Sequence, residues 1–131
     1  MSNLLTLVAY MAIVTWAMLL VASLLRARGW TLYGMKLALG NRDSMPEASP
    51  LAGRAERTAR NTLENFVLFA ALALAAHAAG ATGQRAELGA EIFFWARLAY
   101  IPIYLAGLPY LRTAVWTVSI VGLVMIASVL I

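Results

Sequence analysis

From Leu4 to Leu25 the chain runs for 22 residues without one charged side chain. As a helix rising ~1.5 Å per residue, such a run reaches ~33 Å and crosses the hydrocarbon core of a bilayer. In lipid every backbone N–H and C=O must be satisfied inside the chain, so helices or a closed barrel are the available solutions. A continuous apolar run favours the helix. No basic stretch precedes it and no small-residue cleavage site follows, so it is expected to stay in the protein as its first span.

Three more apolar runs follow: Phe66–Ala81, Ile92–Tyr110 and Thr113–Ile131. The second is short, and it spans comfortably only if its helix starts upstream near Arg57. The expected spans are 4–25, 57–81, 91–109 and 113–131, joined by a loop over 26–56, in one domain covering 1–131. Composition agrees. The chain is 63% hydrophobic and 12% charged, with mean hydropathy +0.79. A soluble domain is nearer half apolar and a quarter charged.

The net charge is +4, and seven of the ten basic residues lie between Arg26 and Arg60. That clustering reads as an orientation signal rather than a nucleic-acid patch. It places residues 26–60 and the 108–113 turn in the cytoplasm and both termini outside. Within the long connection, "GNRD" (Gly40–Asp43) and "PEASP" (Pro46–Pro50) carry turn chemistry.

There is no cysteine and one histidine, His77. Disulfides, thiolate metal sites and a nucleophilic protein thiol are excluded, and a histidine metal cluster has no material. His77 is expected to pack or hydrogen-bond near the outer end of the second span. A nucleophile, if one is used, arrives with a small molecule.

Polar residues inside the spans are the informative ones. Arg57, Asn61 and Glu64 stand at i, i+4 and i+7, and Arg60 lies four before Glu64, so they share a helix face. Arg97, Tyr100 and Tyr104 make a second stripe at i, i+3 and i+7. An arginine at the depth of Arg97 costs at least ~2.5–3.5 kcal/mol unless it is paired or functional. Glu64 is its expected partner. Arg112, in the turn "PYLRT", reads either as an orientation charge or as a cation over the mouth of a polar site.

"RTARNTLENF" and "FFWARLAYIPIYLAGLPYLRTAVW" together resemble the MAPEG family, the membrane-associated proteins in eicosanoid and glutathione metabolism, and most closely its short bacterial branch. The resemblance covers nearly the whole chain. It implies an all-α membrane protein, a bundle of four transmembrane helices forming a homotrimer. The bacterial inner membrane is the implied location. Glutathione is the implied cofactor, bound between neighbouring subunits and opening toward the cytoplasm.

Carried over residue by residue, the resemblance places the glutathione-binding motif on Arg57, Asn61 and Glu64, with Arg60 beside it. The third-helix positions fall on Arg97, Tyr100 and Tyr104, the thiolate-stabilising arginine on Arg112, and a first-helix arginine on Arg26 in preference to Arg28. The chain departs from some members in two places: Asn65 stands where they have an aromatic after the motif glutamate, and the segment from Tyr104 to Arg112 is one residue shorter than in the eicosanoid enzymes.

The implied activity is a glutathione transferase or peroxidase acting on lipophilic electrophiles or lipid hydroperoxides. Its partners are glutathione, a lipophilic small molecule, membrane lipid and two further copies of itself. Two other readings stay open: a non-catalytic glutathione- or lipid-binding protein, and a structural subunit of a larger membrane complex.

Overall fold

A computed structural model describes residues 3–42, 45 and 47–131. Asp43 of "GNRD" and Pro46 of "PEASP" lie outside the described residues. The described residues form five helices: α1 (Asn3–Ala27), α2 (Leu32–Leu39), α3 (Pro50–Ala78), α4 (Gln84–Leu105) and α5 (Pro109–Ser128). Three of them, α1, α4 and α5, are long and apolar enough to cross a membrane. α3 is the longest helix, but Arg54, Glu56, Arg57, Arg60 and Glu64 interrupt its first half.

The boundaries differ from the sequence expectation in ways that have local causes. α3 begins at Pro50, two turns before Arg57. Ser49 caps it by accepting from Ala52 N at 3.1 Å, and Pro50 at the first helical position suits a residue whose N–H has no helical partner. The expected loop over 26–56 therefore holds the start of α3 and the whole of α2. α4 starts at Gln84 rather than 91 and stops at Leu105, where Gly107 takes φ 76. α5 starts at Pro109, again a proline at a helix start.

α4 packs most extensively on α5, and α1 on α3; α3 and α4 join the two pairs. The α4–α5 contact closes on two glycines. A Cβ on Gly122 would stand 2.5 Å from Gly89 O, and one on Gly89 would stand 2.7 Å from Gly122 O. Small residues let helix backbones meet this closely.

The apolar core fills one half of the bundle. Leu4, Leu7, Met11, Phe69, Phe93 and Ile126 are buried together, with Phe69 and Phe93 stacked at 4.4 Å between centroids. A smaller cluster of Met18, Ala22, Ala55 and Ala59 sits nearer the other end. Thr62 of α3 and Arg97 of α4 are buried against each other, and Thr58 and Asn65 of α3 are buried polar side chains as well. Outside, Ile13, Trp16, Val67, Leu68, Trp95, Val118 and Val124 are exposed. An apolar rim of this extent suits lipid rather than water.

Candidate functional site

The polar stripes of α3 and α4 face one another and, with the start of α5, line a cavity of about 340 Å³. Arg57, Arg60, Asn61 and Glu64 come from α3, Tyr100 and Tyr104 from α4, and Arg112, Thr113 and Trp116 from α5. The volume is at the lower end of the ~300–1,000 Å³ typical of small-molecule sites.

Each wall is fixed by a specific contact. Arg57 Nε donates to the Tyr104 hydroxyl at 3.2 Å. The Arg112 guanidinium lies over the Tyr104 ring, with Cζ 4.6 Å from its centroid. Tyr104 thus ties a cation from α3 and a cation from α5 to α4. Tyr100 packs edge-on against Tyr104 at 5.5 Å.

Arg97 lies behind this wall and is fully buried. The expected ion pair with Glu64 does not form. Arg97 Nη2 instead donates to Asn61 Oδ1 at 2.8 Å and to Thr62 Oγ1 at 3.2 Å, and its Cζ stands 4.0 Å from the Tyr100 ring centroid. The reason is helical geometry: Asn61 and Thr62 lie on the buried side of α3, whereas Glu64 is exposed toward the cavity. Arg97 Nε and Nη1 are buried without a hydrogen-bond partner among the described residues. The charge is covered by two neutral side chains and an aromatic face, and among the described residues no carboxylate pairs with it.

Asn61 is held as well as holding. Asn65 Nδ2 donates to the Asn61 backbone carbonyl at 2.9 Å and to Asn61 Oδ1 at 3.1 Å. With its oxygen occupied by Arg97 and Asn65, Asn61 has its amide N–H groups left for the cavity it lines. The asparagine at 65 therefore orients the site, a role the sequence reading did not give it.

Seven of the nine residues singled out in the sequence line one cavity, and Arg97 braces it from behind. Arg26 is elsewhere. It ends α1, its Nε stands 3.3 Å from Glu56 Oε1, and it lines a separate cavity with Arg28. His77 is exposed near the end of α3 and far along the helix from the cavity residues.

Sequence reasoning missed Thr113 and Trp116. Arg112 and Trp116 stand four apart on α5, and that spacing becomes visible once the helix is started at Pro109. It also missed Thr62, which looks like an ordinary helix residue until Arg97 is seen beside it, and the hold of Asn65 on Asn61.

The electrostatic balance decides what the cavity can hold. Three arginines and one glutamate line it, with the uncompensated Arg97 behind. Guanidinium groups bind carboxylates through paired N–H donors. The arrangement suits a small ligand with more than one anionic group and one cation.

A sequence model of the MAPEG family matches residues 3–131. No curated protein and no solved structure matches the chain.

Proposed function

The chain belongs to the MAPEG family, and on that premise we propose that it is a membrane glutathione transferase or peroxidase acting on lipophilic electrophiles or lipid hydroperoxides. The observation that carries the reading is the charge pattern of the cavity: Arg57, Arg60 and Arg112 against Glu64, with Arg97 buried and uncompensated behind them. Glutathione has two carboxylates, one ammonium and one thiol. The donor set fits it group for group.

In this reading Arg57 and Arg60 take carboxylates, Glu64 takes the ammonium, and Asn61 donates its amide to the peptide. Arg97 adds positive potential through Asn61 and the Tyr100 ring. Tyr100 and Tyr104 pack the peptide and offer hydroxyl donors. Arg112, steadied on the Tyr104 ring, stands where a cation favours thiolate over thiol. Glutathione, when bound, supplies a sulfur that attacks carbon in a transferase or peroxide oxygen in a peroxidase, with a second glutathione completing the latter. That division suits a chain without cysteine. Trp116 and the apolar outer face of α5 give a lipophilic substrate a route from the bilayer.

The proposal includes a homotrimer in the bacterial inner membrane, with the cavity toward the cytoplasm. Arg57, Arg60 and Glu64 are exposed in the single chain, although they lie on a helix of the bundle. A neighbouring copy would cover them and keep lipid from the polar face. Arg26 belongs to the site only if a neighbouring copy carries it there.

The test is a glutathione titration of purified protein in detergent, read by the ultraviolet absorbance of the thiolate, beside Arg112→Ala. A saturable signal that Arg112→Ala abolishes supports the proposal. Glutathione binding without thiolate points to the non-catalytic binding protein. Absence of binding to a folded protein overturns both and leaves the polar layer as architecture.

A further inference from the structure

A second cavity, of about 450 Å³, lies where α1 ends, bounded by α2 and the residues leading into α3. Its walls include Arg26, Arg28, Thr31, Tyr33, Glu47 and Ser49. Arg26 Nη1 is buried and has no hydrogen-bond partner among the described residues, while Nε of the same group is held by Glu56. A donor kept dry and unpaired beside a cavity is costly unless something occupies that cavity.

The turn that builds this cavity is tightly specified. Arg28 adopts φ 53, a left-handed conformation that a glycine takes freely and an arginine does not. Its carbonyl accepts from Thr31 N and from Thr31 Oγ1, and Thr31 Oγ1 accepts from Gly34 N. A Cβ at Gly34 would stand 1.9 Å from Arg28 O, so α2 lies directly against the end of α1. A strained arginine stands in a turn where glycine would be relaxed. The side chain at 28 is the gain that offsets the strain.

Position supplies the rest. α1 has 25 residues, about 38 Å as a helix, longer than a hydrocarbon core of about 30 Å. One end at least must emerge, and Arg26 in the last turn, followed by Arg28, marks that end as the one among lipid headgroups. Around the cavity Trp30, Leu32, Tyr33, Met35 and Leu39 are exposed. Leu32, Met35 and Leu39 share one face of α2, the arrangement of a helix lying in the membrane interface. Residues 26–42 carry Arg26, Arg28, Lys36 and Arg42 and no acid.

We propose that the α1–α2–α3 cavity binds the phosphodiester of an acidic membrane phospholipid, gripped by Arg26 Nη1 and Arg28, with the acyl chains against the apolar face of α2. Among the described residues Glu47 is the one acid on its wall; Glu56 holds Arg26 through Nε, which leaves Arg26 Nη1 and Arg28 for the ligand. The cavity is separate from the one lined by Arg57 and Arg112, so the proposal does not rest on glutathione chemistry.

The full-length protein, stripped of lipid in neutral detergent, is titrated with phosphatidylglycerol, diacylglycerol or inorganic phosphate. Thermal unfolding and bound-lipid adducts in native mass spectrometry are read together. Phosphatidylglycerol is expected to raise Tm saturably and to give a discrete adduct. Diacylglycerol, which lacks the phosphate, and inorganic phosphate, which lacks the chains, are expected to do neither. Arg28→Gln and Arg26→Gln should each weaken the lipid effect by about tenfold or more.

Arg28→Gly guards against a folding artefact. It should keep or raise the lipid-free Tm by relieving the left-handed strain, yet lose the lipid response. Equal shifts with diacylglycerol, equal shifts with inorganic phosphate, or an undiminished lipid response in Arg28→Gly would each overturn the proposal.

Discussion

Arg97 is the residue on which the energetics of the site turn. It is fully buried, with Asn61, Thr62 and the Tyr100 ring as its contacts. A structural ion-pair lock would lose stability on losing its charge. An uncompensated charge kept for a ligand behaves the other way, since burying it costs free energy. Arg97→Met is therefore expected to leave Tm unchanged or raised in detergent, while glutathione affinity falls about tenfold or more. Calorimetry of both quantities on one preparation checks the pair of signs.

Glu64→Gln makes the complementary case. Glu64 is exposed and bonded to nothing among the described residues, so stability should move by no more than about 0.5 kcal/mol. Affinity should drop with the lost ammonium contact. Asn61→Ala removes the acceptor shared by Arg97 and Asn65 and should cost about 2–3 kcal/mol in chemical denaturation.

Among elements, α4 and α5 set the distance between Tyr104 and Arg112, and two glycines set the distance between α4 and α5. A Cβ at 122 meets Gly89 O at 2.5 Å and Phe93 N at 2.8 Å, both backbone atoms that cannot swing aside. Gly122→Val is expected to destabilise by about 2–3 kcal/mol or more, read as a lowered Tm. The turn between these helices is held from outside by α3: Arg54 Nε donates to Leu105 O at 2.9 Å. That bond caps the carbonyl end of α4. Arg54→Ala should cost about 0.5–1.5 kcal/mol and loosen the segment that leads to Arg112.

For the whole molecule the issue is what surrounds it. An apolar rim faces outward along α1, α4 and α5, and a charged face of α3 is exposed in the single chain. Native mass spectrometry is expected to show three copies, and charge substitutions on that face, such as Arg60→Leu, to alter assembly. Orientation is separately checkable, because the chain has no cysteine. Asn41→Cys should react with a membrane-impermeant thiol reagent only after the cells are opened. Thr82→Cys should react in intact spheroplasts.

Helix content and membrane residence followed from sequence, because an uncharged run of 22 residues admits few other structures. Helical spacing also gathered Arg57, Asn61 and Glu64 onto one face, and Arg97, Tyr100 and Tyr104 onto another. Both are local, one-dimensional properties of a helix. Which residue meets which across two helices is not local. Glu64 and Arg97 have the charges for a pair, and rotation of α3 about its axis gives Arg97 to Asn61 and Thr62 instead. The roles of Asn65 and Trp116, and the separation of Arg26 from the arginines around Tyr104, likewise arise from packing. Periodicity fixes the direction of a side chain from its own axis, and only the placement of the neighbouring axis fixes what it touches.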